Sequence, residues 1–132
     1  MGPRLAGVEP DRFLAAARRV MARCDELARV TATPGAGIER VYLSPEHARV
    51  NRLVAESMRE IGMTTRQDAA GNQVGRMPPS GGDPEAPSLL LGSHLDTVLD
   101  AGRYDGIVGV LMALEVARLL RLPGDGAPRT AL

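Results

Sequence analysis

The chain has 132 residues, which is enough for one modest domain with a single core. Its 16 basic and 16 acidic residues balance, so neither nucleic acid nor an anionic membrane is favoured as a partner. No stretch approaches the roughly 20 apolar residues of a membrane span, and the first residues lack the apolar segment of a secretory signal. We therefore expect a cytoplasmic protein.

The first predicted element is a helix over residues 11–30, because its apolar residues recur three and four positions apart. This stripe consists of Phe13, Leu14, Ala17, Val20, Met21, Cys24, Leu27 and Ala28. Cys24 is the single cysteine, so no disulfide can form within the chain, and we expect it to be a small buried apolar residue. The segment TPGAG at residues 33–37 then predicts a loop.

A second helix is predicted from Ser44, the N-cap, and Pro45, the first helical residue, to Gly62. Its buried stripe consists of Val50, Leu53, Val54, Ser57, Met58 and Ile61. His47 lies in the first turn, and no carboxylate or second histidine stands at helical spacing from it. We interpret it as a surface histidine outside any site.

Two short strands over residues 64–68 and 73–77 are predicted to form a hairpin, with a turn at residues 69–72 that contains Gly71 and Asn72. Residues 78–84 predict a surface loop. The following segment, SLLLGS at residues 88–93, contains three consecutive leucines. That pattern is typical of a strand covered on both faces in the middle of an α/β sheet.

The last predicted helix covers residues 107–121 and is apolar nearly all round, which indicates deep packing. Residues 123–128 are rich in Pro and Gly and end it, and residues 129–132 are interpreted as the start of a further strand. We therefore expect an α/β domain whose sheet is incomplete, with an edge that promotes aggregation or edge-to-edge pairing.

Three side chains indicate a metal site. Sites in open α/β sheets form at the carboxyl ends of strands, which is where His94 follows the leucine run. His94 and Asp105 are candidate ligands of a cation such as zinc or manganese. Asp96, two residues after His94, can accept a hydrogen bond from the ring nitrogen that is not on the metal. Each motif alone also occurs as a plain turn or N-cap, but their combination favours a metal site.

The segments LGSHLDTV (91–98), GRYDG (102–106) and GVL (109–111) closely resemble the M20-type metallohydrolases. The segments VYLSPEH (41–47) and DAAGN (68–72) narrow the resemblance to the branch of allantoate amidohydrolases and N-carbamoyl-L-amino acid hydrolases. It covers most of the chain, from about residue 21 onward. It implies that residues 1–132 are the N-terminal portion of a three-layer α/β/α, phosphorylase/hydrolase-like catalytic domain.

The resemblance also implies roles and a reaction. His94 would bind one of two divalent ions, Asp105 would bridge both, and Asp96 would orient His94. A metal-activated water would hydrolyse the amide or ureido bond of a small ureido, N-acyl or N-carbamoyl amino acid. The general base and the remaining ligands are not in this sequence, so we expect the chain alone to be inactive.

Two alternatives remain open. The chain could derive from an aminoacylase or metallopeptidase of the same superfamily, or it could be a non-catalytic association module. Full-length relatives are expected to form homodimers through a second domain, which leaves the oligomeric state of this chain open.

Overall fold

A computed structural model describes residues 10–79, 85 and 87–121. Its elements are the helices α1 (Pro10–Leu27), α2 (Pro45–Glu60) and α3 (Ile107–Leu120) and the strands β1 (Thr64–Gln67) and β2 (Gln73–Arg76). The predicted order of two helices, a hairpin and a third helix is confirmed, and the mixture is that of a partial α/β domain. The predictions for residues 80–84 and 123–132 lie outside the described residues. No helix in the described part is long and apolar enough to cross a membrane.

The core forms where α1 packs against α3 and where α2 packs against the hairpin. Buried apolar residues of the three helices join in one cluster with Met77 and Leu95. The prediction for α1 is correct for Val20, Cys24 and Leu27, which are buried. It is wrong for other members of the stripe, and the exposed ones are Phe13, Leu14, Ala17 and Met21. The buried positions recur along the side of α1 that faces α3, and the exposed ones lie beside it.

The start of α2 is formed by local contacts that the sequence predicts. The Ser44 hydroxyl accepts a hydrogen bond from the His47 N–H at 3.1 Å, and Pro45 occupies the first turn. Gly62 follows the helix with φ of +80° and donates its N–H to the Arg59 carbonyl at 2.8 Å. These contacts satisfy backbone groups that helix ends leave unpaired.

The predicted hairpin is confirmed, with Gln67 paired to Gln73 next to the turn. The Asp68 carboxylate organises this turn by accepting hydrogen bonds from the Ala70 N–H at 3.0 Å and from the main-chain and side-chain N–H groups of Asn72, each at 2.9 Å. Gly71 has φ of +83°, which L side chains rarely adopt. The Asn51 side chain donates to the Gly71 carbonyl at 3.0 Å and ties the turn to α2.

The prediction that residues 88–93 form a buried central strand is wrong. Leu89 and Leu91 are about half exposed, and Leu90 is 90% exposed. A strand buried on both faces needs a neighbouring strand on each edge and covering elements on each face. Within the described ranges, the sheet consists of β1 and β2 alone, so no described strand lies beside the leucines to bury them, and Leu89 and Leu91 are only partly covered.

The segment after the leucines runs back along residues 38–40. Ile38 and Ala101 exchange two backbone hydrogen bonds of 3.0 Å, and the Thr97 N–H donates to the Arg40 carbonyl at 2.9 Å.

At the end of this segment, α3 begins at Ile107 as predicted. Its expected burial all round is wrong, because Met112 and Val116 are exposed and only the side that faces the core is covered.

Candidate metal centre

The structure brings the three predicted site residues together just before α3. The Nε2 atom of His94 lies 3.7 Å from Oδ1 of Asp105, and its Nδ1 atom lies 3.6 Å from Oδ1 of Asp96. All three side chains are roughly half exposed. The site therefore lies at the surface, at the point where the chain turns into α3.

The orientation of the His94 ring is set by the main chain of Asp96. Nδ1 of His94 lies 2.9 Å from the Asp96 carbonyl oxygen, closer than the carboxylate. Because a carbonyl oxygen can only accept, Nδ1 carries the proton in this contact and the neutral ring keeps its lone pair on Nε2, facing Asp105. This is the tautomer in which a histidine binds metal through Nε2.

The predicted hydrogen bond from His94 to the Asp96 carboxylate is thus replaced by one to the carbonyl. The two-residue period of an extended chain predicts that positions 94 and 96 share a face. It does not specify the rotamer of the ring, and this rotamer places Nδ1 against the main chain. The carboxylate lies beside this contact, beyond hydrogen-bond distance.

Gly106 allows the His94 ring to lie against the beginning of α3. It has φ of +66°, and a Cβ atom built there would come within 2.4 to 2.6 Å of three ring atoms of His94. No side chain caps the N-terminus of α3 by a hydrogen bond. Gly106 is itself the N-cap residue, and residues 103–106 form a turn before α3, so the turn and the candidate ligand Asp105 occur together.

The donor set fits one part of a metal site. A neutral imidazole nitrogen and a carboxylate oxygen that face each other are ligands suited to zinc or manganese. In the described part of the chain, no group of three or more His, Cys, Asp or Glu side chains is arranged to hold an ion. Since zinc sites normally have at least three protein ligands, His94 and Asp105 fit as two members of a larger set.

His94 and Asp96 form part of the wall of an open cavity of about 610 Å³. The cavity lies between α2, β2, residues 89–96 and α3. Its apolar wall includes Met58, Leu91 and Val110, and its polar groups include Asn51 and Asn72. This volume is in the range of sites that bind small molecules.

The prediction that His47 is a surface residue is wrong. Its side chain is only 5% exposed, its Nδ1 accepts a hydrogen bond from the Leu43 N–H at 3.1 Å, and its ring lies 5.5 Å from that of Tyr42. Burial lowers the pKa of His47, the Asp96 charge raises it and the Arg40 charge lowers it further. His47 also lines the cavity. The sequence feature that indicates this burial is helical spacing, since position 47 continues the buried stripe of Val50 and Val54 by one turn.

A second residue that the sequence did not reveal is Arg40, which is 1% exposed. Its guanidinium donates to the carbonyl of Leu95, the residue between His94 and Asp96. Burial lowers the pKa of Arg40, and the Asp96 charge opposes this. No periodic pattern marks this position, because the contact joins residues 55 positions apart.

No protein-family model matches the chain. It is 40% identical over 106 residues to an N-carbamoyl-L-amino-acid amidohydrolase of Paenarthrobacter aurescens, a match that covers 80% of this chain and 25% of that protein. It is 38% identical over 104 residues to an allantoate deiminase of Arabidopsis thaliana, covering 79% of this chain and 19% of that protein.

The fold is similar to that of a solved hydantoinase/carbamoylase family amidase from Burkholderia ambifaria. The TM-score is 0.71 at 41% identity, over 78% of this chain and 25% of that one. The chain thus spans a quarter or less of the length of the relatives that it matches.

Proposed function

The chain is a homologue of one part of the hydantoinase/carbamoylase amidohydrolases, and from this we propose that it contributes to a metal-dependent hydrolase of non-peptide C–N bonds. The observation that carries the proposal is the contact of His94 with the Asp96 carbonyl, which turns Nε2 toward Asp105. The substrate class that we propose is a small linear ureide or N-carbamoyl amino acid. It is supported by the names of the relatives and by a cavity of small-molecule size.

In this proposal His94 would hold a divalent ion, zinc or manganese, through Nε2, and Asp105 would help to hold that ion and a second one. When bound, such ions polarise the scissile carbonyl and lower the pKa of a water that attacks it. Asp96 keeps His94 in the metal-binding tautomer through its carbonyl oxygen. Gly106 permits the close approach of the ring to the main chain before α3.

We propose that residues 1–132 alone do not turn over substrate. The described residues supply two candidate ligands, and among them no group of three or more His, Cys, Asp or Glu side chains is arranged to hold an ion. Three quarters or more of the length of the relatives lies outside the match. The other ligands and the general base are therefore assigned to that part of the enzyme.

A graft tests this assignment. The matching quarter of the Paenarthrobacter aurescens amidohydrolase is replaced by this chain, and hydrolysis of an N-carbamoyl-L-amino acid is measured with added zinc or manganese. We expect hydrolysis by the graft and its loss in the His94→Ala and Asp105→Ala grafts, with unchanged melting temperatures. Equal hydrolysis by the graft and its His94→Ala form would contradict the proposal.

The aminoacylase or metallopeptidase alternative predicts a preference for an N-acetyl amino acid or a dipeptide over an N-carbamoyl amino acid. The relatives that the chain matches support the ureido class.

A further inference from the structure

Arg40 is a buried cation whose hydrogen-bond acceptors are main-chain carbonyl groups. Its Nε–H donates to the Leu95 carbonyl at 2.8 Å. Its Nη1 group donates to the Leu27 carbonyl at 3.1 Å and to the Val30 carbonyl at 2.9 Å. The guanidinium therefore ties the end of α1 to the peptide group between His94 and Asp96.

The acceptors at the end of α1 explain why a charge is tolerated there. The last carbonyls of a helix lack partners within the helix and carry its negative partial charge. A guanidinium, with five N–H donors in a fixed plane, can satisfy several carbonyls at once. An apolar residue of similar volume would fill the space but would take this donor from the Val30 and Leu95 carbonyls, while the Leu27 carbonyl would keep the Val30 N–H at 3.1 Å.

The main chain of Arg40 orients the next peptide group. The Arg40 carbonyl accepts the Thr97 N–H at 2.9 Å, and the Arg40 N–H donates to the Thr97 hydroxyl at 2.9 Å. In a trans peptide the N–H and C=O point in opposite directions. The Asp96 carbonyl, which shares its peptide group with the Thr97 N–H, is therefore directed away from Arg40 and accepts Nδ1–H of His94.

Arg40 thus contacts both peptide groups that flank Asp96, one through its side chain and one through its main chain. The Leu95 side chain between them is buried in the core, which holds the segment from a third direction. The side chains of His94, Asp96 and Asp105 are about half exposed, so the contacts that hold the segment on its buried side are those of Arg40 and Leu95.

We propose that Arg40 is a positioning residue that holds residues 94–96 in the conformation that presents Nε2 of His94 to a metal ion. The inference rests on the proposed metal site and names a residue on which that site depends. Arg40 does not touch metal or substrate. It acts through the Leu95 and Asp96 peptide groups.

The test compares Arg40→Met, Arg40→Lys and Val20→Ala with the wild-type chain. Val20→Ala is the structural control, because Val20 is a buried residue of α1 that makes none of the contacts described above. Two readouts are used: the ring nitrogen chemical shifts of His94 without metal, which report its tautomer, and the zinc dissociation constant from an NMR titration followed at His94.

We expect the wild-type ring to carry its proton on Nδ1. Arg40→Met should mix the two tautomers and weaken zinc binding by about 10-fold or more, the usual effect of losing an outer-shell partner. Arg40→Lys keeps the charge but loses the planar set of N–H donors. Its tautomer populations and zinc affinity should therefore lie between those of the wild type and of Arg40→Met. It also keeps the test valid if Arg40→Met does not fold. Val20→Ala should lower the melting temperature and leave both readouts unchanged.

Two results would overturn the inference while leaving the metal site intact. In the first, the Arg40 variants have the same zinc dissociation constant and the same His94 tautomer as the wild type. In the second, Val20→Ala changes both readouts as much as the Arg40 variants do, which would assign the effect to general destabilisation. If the wild-type chain and His94→Ala respond to zinc alike, the proposed metal site itself is wrong, and the role of Arg40 toward the metal is wrong with it.

Discussion

The Asp96 carbonyl oxygen, and not its carboxylate, is the closest partner of His94 Nδ1, at 2.9 Å against 3.6 Å. The tautomer of His94 is therefore set by a main-chain group that every residue possesses. The Asp96 side chain adds negative charge beside the ring and does not hold it.

Asp96→Asn should accordingly leave the His94 tautomer unchanged, because the carbonyl acceptor remains. Nitrogen chemical shifts of the ring, measured without metal, check this expectation. Asp96→Gly is measured beside it, since this variant also keeps the carbonyl but gives the backbone more conformational freedom. A change of tautomer in Asp96→Asn would show that the carboxylate is the working partner.

Gly106→Ala should destabilise the fold by about 1–3 kcal/mol and displace the His94 ring. Its Cβ would overlap the ring, and its φ of +66° is unfavourable for alanine. Gly102→Ala is the matched control in the same loop, because no atom lies within 4 Å of a Cβ built there. Chemical denaturation gives the stability difference, and similar values for the two variants would contradict the packing described here.

The exposed leucines predict self-association. Leu90 is 90% exposed, Leu89 and Leu91 are about half exposed, and within the described ranges no named strand pairs with residues 89–91. Leu90→Lys should reduce association, because a charge on an exposed apolar segment opposes edge-to-edge pairing. Leu99→Lys, at another exposed leucine outside the run, should change little. Sedimentation velocity of the three proteins tests this, and a monomeric wild-type chain would count against it.

Burial of His47 predicts a loss of stability in mild acid. Its folded pKa lies below the ordinary value of 6.5, so the unfolded chain binds the proton more readily. The stability contribution of neutral His47 is complete above pH 6.5 and decreases as the pH falls below it.

His47→Gln removes this titration and keeps an acceptor for the Leu43 N–H. Unfolding free energies measured between about pH 5 and 8 should therefore depend less on pH in the variant than in the wild type. Parallel curves for the two proteins would contradict the assignment.

Elements defined by local contacts could be predicted from the sequence. The start of α2 depends on Ser44 and His47, three residues apart, and the hairpin turn depends on Asp68 and Asn72, four apart. The site residues His94, Asp96 and Asp105 lie within twelve positions, so their proximity also followed from local patterns.

What could not be predicted depends on distant partners. The leucine run is apolar enough for a central strand, but burial requires neighbours that the described residues do not provide. Arg40 reaches Leu95 across 55 positions, and a charged residue in the connection between α1 and α2 gives no periodic sign of burial. The prediction for His47 is wrong because a place in the first turn indicates exposure, whereas its spacing from Val50 and Val54 places it on the buried side of α2.

A zinc titration of this chain by calorimetry, beside His94→Ala and Asp105→Ala, tests whether these two side chains bind metal. We expect saturable binding by the wild type that is lost in both variants while their melting temperatures stay close to that of the wild type. Binding that persists unchanged in both variants would contradict the assignment of His94 and Asp105 as metal ligands.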